Sequence, residues 1–176
     1  MTPHTAVDNQ PDQCTLASVM ADARRRLVAA GVEAADREAR WLIEHALGLT
    51  GSSHLVDSAR PLDEHEMAKI DAYVTRRAVR EPLQYILGTQ EFCGLEFDVN
   101  PAVLIPRPET ELLVQEVICR LPRGGRPTLV DVGTGSGCVA VTLARALSSA
   151  RIFATDLSVQ ALETAKRNAL RHGVDS

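Results

Sequence analysis

The sequence predicts an α/β protein: an N-terminal α-helical bundle, a hairpin linker, and then the first half of a Rossmann-like domain. Three observations predict it. Apolar residues recur at helical spacing between Leu16 and Ala78. The stretch Glu91-Phe92-Cys93-Gly94-Leu95-Glu96-Phe97-Asp98-Val99 alternates apolar and acidic residues after a glycine. Residues 128–156 read as strand, glycine turn, helix and strand, with an acid at the tip of the second strand.

Taken in order, residues 1–14 contain Pro3, Asn9, Pro11 and Asp12 and read as a loose tail. Leu16, Val19, Met20, Ala23 and Leu27 fall on one face of a first helix, with Gly31 placed to stop it. A second helix carries Ala39, Leu42, Ile43, Ala46 and Leu47 and ends before Gly48, and Trp41 sits off the centre of its stripe. Ser52-Ser53-His54-Leu55-Val56 has room for one short turn. Pro61-Leu62-Asp63 opens a third helix striped by Met67, Ile70, Val74 and Ala78, and Asp63 and Glu66 stand in capping-box positions. Residues 15–80 thereby form a helical domain. Its run Arg24-Arg25-Arg26 reads either as a partner-binding patch or as a solvated face, the second being the commoner use of such a run.

Pro82 is expected to end the helical region, and residues 81–104 read as a linker holding the hairpin. The hairpin's apolar face is Leu95, Phe97 and Val99, and Pro101 ends it. Ile105-Pro106-Arg107-Pro108-Glu109-Thr110-Glu111 follows as an extended turn that feeds a helix. Leu113, Val114, Val117, Ile118 and Leu121 stripe that helix, and Pro122 with Gly124-Gly125 terminates it. Beyond Asp156, Ser158 caps a last helix carrying Ala161, Leu162, Ala165 and Ala169, which runs to Gly173. Residues 105–176 then make a partial domain with two parallel strands, leaving at least one strand edge without a neighbour.

Composition narrows the classes. Across 176 residues, 45% are hydrophobic and 24% charged, which is ordinary for a folded chain. A net charge of -4 argues against a nucleic-acid partner held mainly through phosphates. Cys14, Cys93, Cys119 and Cys138 show no C-x-x-C spacing and read as reduced, mostly buried thiols. With His4, His45, His54, His65 and His172 scattered, no metal site is predicted. The nucleophile elbow G-x-S-x-G is absent. Neither a signal peptide nor a membrane-length apolar run is seen, so a cytoplasmic protein without a membrane partner is expected.

Chemistry concentrates in one stretch. Leu129-Val130-Asp131-Val132 runs into Gly133-Thr134-Gly135-Ser136-Gly137, and Ile152-Phe153-Ala154-Thr155-Asp156 follows the intervening helix. Glycines let a ligand lie against bare backbone. Amides at the start of the next helix point at whatever sits there. An acid about 20 residues past such a loop is placed to accept the hydroxyls of a ribose. The combination describes a pocket for an adenosine-bearing cofactor. A dinucleotide fingerprint needs glycine where Cys138 stands, and a triphosphate loop needs G-K-[ST], which is missing. A nicotinamide-dependent oxidoreductase is therefore disfavoured, and the plain alternative is a glycine turn that only lets a helix pack on a strand.

An acid two residues before a G-x-G-x-G loop, as Asp131 stands here, is similar to the first motif of the class I S-adenosylmethionine-dependent methyltransferases. Two further blocks are more specific: Glu81-Pro82-Leu83-Gln84-Tyr85-Ile86-Leu87-Gly88 with Glu91-Phe92, and Ile105 to Glu111. With them the chain resembles the release-factor glutamine methyltransferases, the PrmC/HemK family, over residues 15–176. The resemblance implies S-adenosyl-L-methionine as cofactor, with Gly133, Thr134, Gly135, Ser136 and Gly137 lining its methionine end and Asp156 holding its ribose. Pro106 to Thr110 would wall the same pocket. The implied reaction moves a methyl group to the side-chain amide nitrogen of the glutamine in the Gly-Gly-Gln tip of peptide chain release factors, which the N-terminal bundle would help to grip. Cys93 departs from the large aromatic common at its place. The family's catalytic Asn-Pro-Pro-Tyr, expected later in the domain, does not occur in these residues. No catalytic residue is therefore assigned, and the chain is expected to be truncated and not to methylate by itself. Two other readings stand beside this one: a non-catalytic fragment that binds release factor or cofactor, and a methyltransferase acting on another amide or a nucleic-acid base.

Overall fold

The computed structural model describes residues 14–49, 58–121 and 125–175. The expected tail over 1–13, the turn at 52–56 and the helix stop at 122–124 lie outside the described residues. The chain divides into two compact units, Met1–Ile86 and Leu87–Ser176.

The first unit is a helical bundle of α1 (Leu16–Ala29), α2 (Ala35–Leu47) and α3 (Glu64–Ala78), closed by a short α4 (Leu83–Leu87). Its core is the predicted stripes: Ala23, Leu27, Ala39, Leu42, Ile43, Ile70 and Val74 are each at most 2% exposed. The Asp63–Glu66 capping box forms, and a second one that the sequence reading passed over, Thr15 with Ser18, starts α1. Those two helix starts are tied together, since Leu16 N–H donates to Arg60 O and Leu62 N–H to Cys14 O. Trp41 remains 41% exposed, with the Arg37 guanidinium 5.0 Å from its ring centroid.

Pro82 does not end the helical region as expected. It opens α4 instead, where the N–H groups of Tyr85 and Ile86 donate to Pro82 O at 3.0 and 3.3 Å. A proline in a first helical turn gives up only an N–H that has no partner inside the helix. Leu83 and Ile86 are buried, and Arg76 holds α4's approach by binding Glu81. The arginine run finds acids within the unit: Arg24 pairs with Asp36, Arg25 with Asp22, and Arg26 with Asp71 at 2.6 Å. It is an ion-paired, largely solvated face, and such exposed pairs contribute little stability. Arg77 with Glu38 is different, because the two side chains are only 15% and 13% exposed. Glu38→Ala should cost about 2 kcal/mol or more by leaving that guanidinium half-paired in the core; a urea midpoint equal to wild type would refute it.

The second unit opens with a hairpin, β1 (Thr89–Phe92) and β2 (Leu95–Asp98), paired antiparallel with Phe92 opposite Leu95. Cys93 and Gly94 both take positive φ, 51° and 73°, as a two-residue hairpin turn with the strands' own twist requires. Next come α5 (Pro108–Arg120), β3 (Thr128–Val132), α6 (Cys138–Ala146), β4 (Arg151–Thr155) and α7 (Val159–Arg171). β3 and β4 pair in parallel, Thr128 opposite Arg151 through Val132 opposite Thr155. The core gathers Phe92 and Phe97 from the hairpin, Val114 from α5, and Cys138, Val141 and Leu143 from α6, with Leu129 and Ile152 packed against it. The hairpin is thus part of this core.

Three expectations are corrected. Of the α5 stripe only Val114 is buried, while Leu113 is 53% and Ile118 37% exposed. The hairpin and α6 cover a narrower strip of α5 than its hydropathy suggests. On α7 the buried face is Ala161, Thr164, Ala165 and Asn168, and Leu162 turns outward at 36% exposed. Polar residues take the buried places because each finds a partner there. Cys138 alone of the thiols is buried; Cys14 and Cys119 are exposed and Cys93 is intermediate. Cys14 lies just before α1 and Cys119 in the last turn of α5, where neither is enclosed. Among the described residues the sheet has two strands, so both outer edges lack a strand partner. One sheet face is bare, with Val130 60%, Val132 81% and Phe153 50% exposed.

Candidate functional site

Strand β3 delivers the chain into the glycine loop and β4 delivers Asp156 beside it, because the parallel register sets Val132 level with Thr155. Gly133 N–H and Thr134 N–H both donate to Thr155 O, at 2.8 and 2.9 Å. Gly137 N–H donates to Thr134 O at 2.8 Å, and Gly135 N–H donates to Asp156 Oδ2 at 2.9 Å. Thr134 is 6% exposed, and its hydroxyl donates to Asp131 Oδ2 at 2.7 Å. That bond explains the acid two residues before the loop. Ser136 is 2% exposed, its hydroxyl beside the Cys138 thiol.

The glycines serve two purposes. A Cβ on Gly135 would meet nothing within 4 Å, and the same holds at Gly133, so that side of the loop presents bare backbone to open space. A Cβ on Gly137 would sit 3.0 Å from Ala165 Cβ and 3.1 Å from Ala165 Cα. Gly137 is therefore where α6 starts tight against α7. All three have positive φ: 79°, 55° and 79° for Gly133, Gly135 and Gly137.

Asp156 accepts from Ser158 N–H through Oδ1 at 2.9 Å and from Gly135 N–H through Oδ2. These bonds, Ser158's first and Gly135's second, hold its carboxyl below the usual carboxylate range. The contribution to stability is fully present above the ordinary aspartate value and is lost as pH falls through the lowered folded value. Asp156 is thus an anion at neutral pH, with part of its surface open. Burial pushes the Cys138 thiol up to about 11, Ser136 opposing and Asp131 adding to the rise. It is a packing thiol, not a nucleophile. Among the described residues no group of three His, Cys, Asp or Glu side chains is arranged to hold a metal, and no helix is long and apolar enough to cross a membrane.

The loop is poorly suited to a phosphate group. The N–H groups of Gly133, Thr134, Gly135 and Gly137 are already bonded to protein oxygens, so they do not form the phosphate cradle of a dinucleotide loop. What the loop offers is an ionised acceptor, Asp156, beside uncovered glycine backbone. The structure brings Gly133, Thr134, Gly135, Ser136, Gly137 and Asp156 together in one place. Sequence reasoning missed Asn168, which is 0% exposed and donates from Nδ2 to Ser136 O at 2.8 Å. Its register with Ala161 and Ala165 on α7 was the available signal.

Comparison with known proteins falls on both units. The family model described as the PrmC N-terminal domain matches residues 18–88, and that of the Ribosomal protein L11 methyltransferase (PrmA) matches residues 109–176. A release factor glutamine methyltransferase of Geobacter sulfurreducens is 46% identical over 164 residues, which is 93% of this chain and 57% of the relative. The protein of that name from Nitratidesulfovibrio vulgaris is 44% identical over 160 residues, 91% of this chain and 54% of the relative. Another, from Neisseria gonorrhoeae, is 46% identical over 132 residues, 75% of this chain and 48% of the relative. The chain thus spans about half the length of the curated relatives it matches. On the strength of these identities across both units, the chain belongs to the release factor glutamine methyltransferase family.

Proposed function

We propose that the chain binds S-adenosyl-L-methionine at Gly133, Thr134, Gly135, Ser136, Gly137 and Asp156, as the cofactor-binding part of an enzyme that methylates release factors. The observation that carries the reading is the pairing of the partly open Asp156 carboxylate with bare backbone at Gly133 and Gly135. Asp156 accepts the ribose hydroxyls, and the uncovered loop lets the amino-acid end lie flat. When bound, the cofactor supplies an electrophilic methyl group on a sulfonium. The acceptor in this reading is the glutamine side-chain amide of the Gly-Gly-Gln tip. That nitrogen is a weak nucleophile, its lone pair shared with the carbonyl, so it must be gripped and oriented before it reacts. No residue of this chain is assigned to that grip. The helical residues 15–80 are proposed as the release-factor docking domain, residues 81–104 as the linker with its hairpin, and residues 105–176 as the cofactor domain.

Equilibrium calorimetry with S-adenosylmethionine and with NAD tests the cofactor. Binding of the first and not the second is expected; the reverse would mean an oxidoreductase. Asp156→Ala should weaken S-adenosylmethionine binding roughly tenfold or more, since hydrogen bonds to a charged group are worth about 1.5–3 kcal/mol each. Unchanged affinity would reject the ribose assignment. For the substrate, a protein containing this chain over the full length of its relatives is incubated with release factor and methyl-labelled cofactor. Label on the Gly-Gly-Gln glutamine is the expected outcome; label on another amide or on nucleic acid would move the substrate elsewhere.

A further inference from the structure

Asn168 sits on α7, on the helix that follows Asp156, and belongs to none of the residues just assigned. Its side chain is 0% exposed, and each of its polar atoms is used. Oδ1 accepts from Asp98 N–H at 2.7 Å, while Nδ2 donates to Asp98 O at 3.0 Å and to Ser136 O at 2.8 Å. Toward the hairpin it behaves as a neighbouring strand would, taking both the N–H and the C=O of one residue. Toward the glycine loop it holds the carbonyl of the peptide between Ser136 and Gly137. The same peptide's N–H is bound on its other side to Thr134 O at 2.8 Å. That peptide plane is therefore gripped at both ends, and on its C-terminal side stands Gly137, whose positive φ of 79° shows the backbone freedom that the two bonds restrain.

The surroundings show that α7 is built to hold the hairpin at this point. Asn100 Nδ2 donates to Thr164 Oγ1 at 2.9 Å, and Thr164 is 1% exposed. Arg171 pairs with Asp98 at 2.7 Å and also with Glu96. Of these groups only Asn168 reaches both the hairpin and the loop. An apolar residue in its place would leave Asp98 N–H, Asp98 O and Ser136 O without these bonds, so the amide fixes where those three groups can sit.

We propose that Asn168 is a positioning residue of the cofactor pocket, setting the Ser136–Gly137 peptide so that the loop keeps its ligand-accepting shape. This rests on the reading that the loop binds S-adenosylmethionine. Without the amide, Ser136 O loses its partner and the peptide turns toward water, carrying Gly135 and Gly137 with it. Asn168→Asp tests the same point by charge, since one carboxylate oxygen then faces two carbonyl oxygens.

The test uses the 176-residue chain, S-adenosylhomocysteine as probe, calorimetry for affinity and circular dichroism for folding. Val114→Ala serves as control, because Val114 is 2% exposed in the same core and supplies none of the hydrogen bonds that hold the loop. At a temperature where all are folded, Asn168→Ala and Asn168→Asp should bind at least tenfold more weakly, while Val114→Ala stays within about twofold of wild type. Wild-type affinity in either Asn168 variant overturns the proposal, as does an equal loss in the control. Should both Asn168 variants be unfolded, nitrogen-15 spectra of the wild-type chain decide: the Asn168 side-chain amide signals shift on adding the probe, and unmoved signals overturn it. No binding by wild type would instead remove the cofactor reading on which the inference stands.

Discussion

Replacing Gly135 by valine is expected to abolish S-adenosylmethionine binding while leaving the second unit folded. Gly135 has φ 55°, and its missing Cβ would point into open space beside the Asp156 carboxylate. A branched side chain there fills the space that the ligand needs and resists the left-handed backbone, at about 1–2 kcal/mol. The folded chain is expected to tolerate that cost, because the added Cβ meets no protein atom within 4 Å. Gly137→Ala is the contrasting variant. Its new methyl lands 3.0 Å from Ala165 Cβ and 3.1 Å from Ala165 Cα, so α6 and α7 must move apart. Strain and overpacking together cost about 2–4 kcal/mol. The pair is measured by calorimetry and urea unfolding side by side. A folded Gly135→Val chain that binds normally would reduce the loop to a packing turn, and a Gly137→Ala chain as stable as wild type would contradict the helix contact.

Phe97→Ala should destabilise the second unit by about 3–5 kcal/mol, a large share of the 5–15 kcal/mol typical of a whole domain. Phe97 is 0% exposed and meets Phe92 edge to face, with ring centroids 6.1 Å apart and planes at 77°. The His172 ring also lies against it, with centroids 5.0 Å apart. The chain has only three phenylalanines, so its cores are filled by aliphatic residues and little else is large enough to fill the hole. Phe97 also stands next to Asp98, whose backbone Asn168 holds. The loss should therefore reach the loop: binding falls with stability, and both recover in Phe97→Leu, which refills most of the volume. A urea-derived loss under 1 kcal/mol would show that the hairpin is not part of this core.

Much of this protein was legible in its residues. Helical periodicity located the three long helices of the bundle, the Asp63–Glu66 pair marked a helix start, and Ser158 marked another. The alternation around Gly94 located the hairpin, and the strand–glycine–helix–strand order placed Asp156 beside the loop. These signals are short-range: each depends on residues within a turn or two, whose backbone preferences and side-chain spacing survive any tertiary arrangement. Which apolar residues are covered was less legible. On α5 and α7 the apolar residues at helical spacing are only partly covered, Leu113 being 53% and Leu162 36% exposed.

What only the tertiary structure decided is which glycine does which work, and who holds the loop. Gly133, Gly135 and Gly137 look alike in sequence, but Ala165 makes the last a packing contact and leaves the first two bare. Asn168 reads as one more polar residue on an amphipathic helix. Its importance comes from Asp98 and Ser136, partners 70 and 32 residues away that reach it only once hairpin, loop and helix have packed together. Buried hydrogen bonds of that kind are set by position in space. A backbone carbonyl accepts from any donor brought within reach, so nothing in the residue type of Ser136 or Asp98 names its partner.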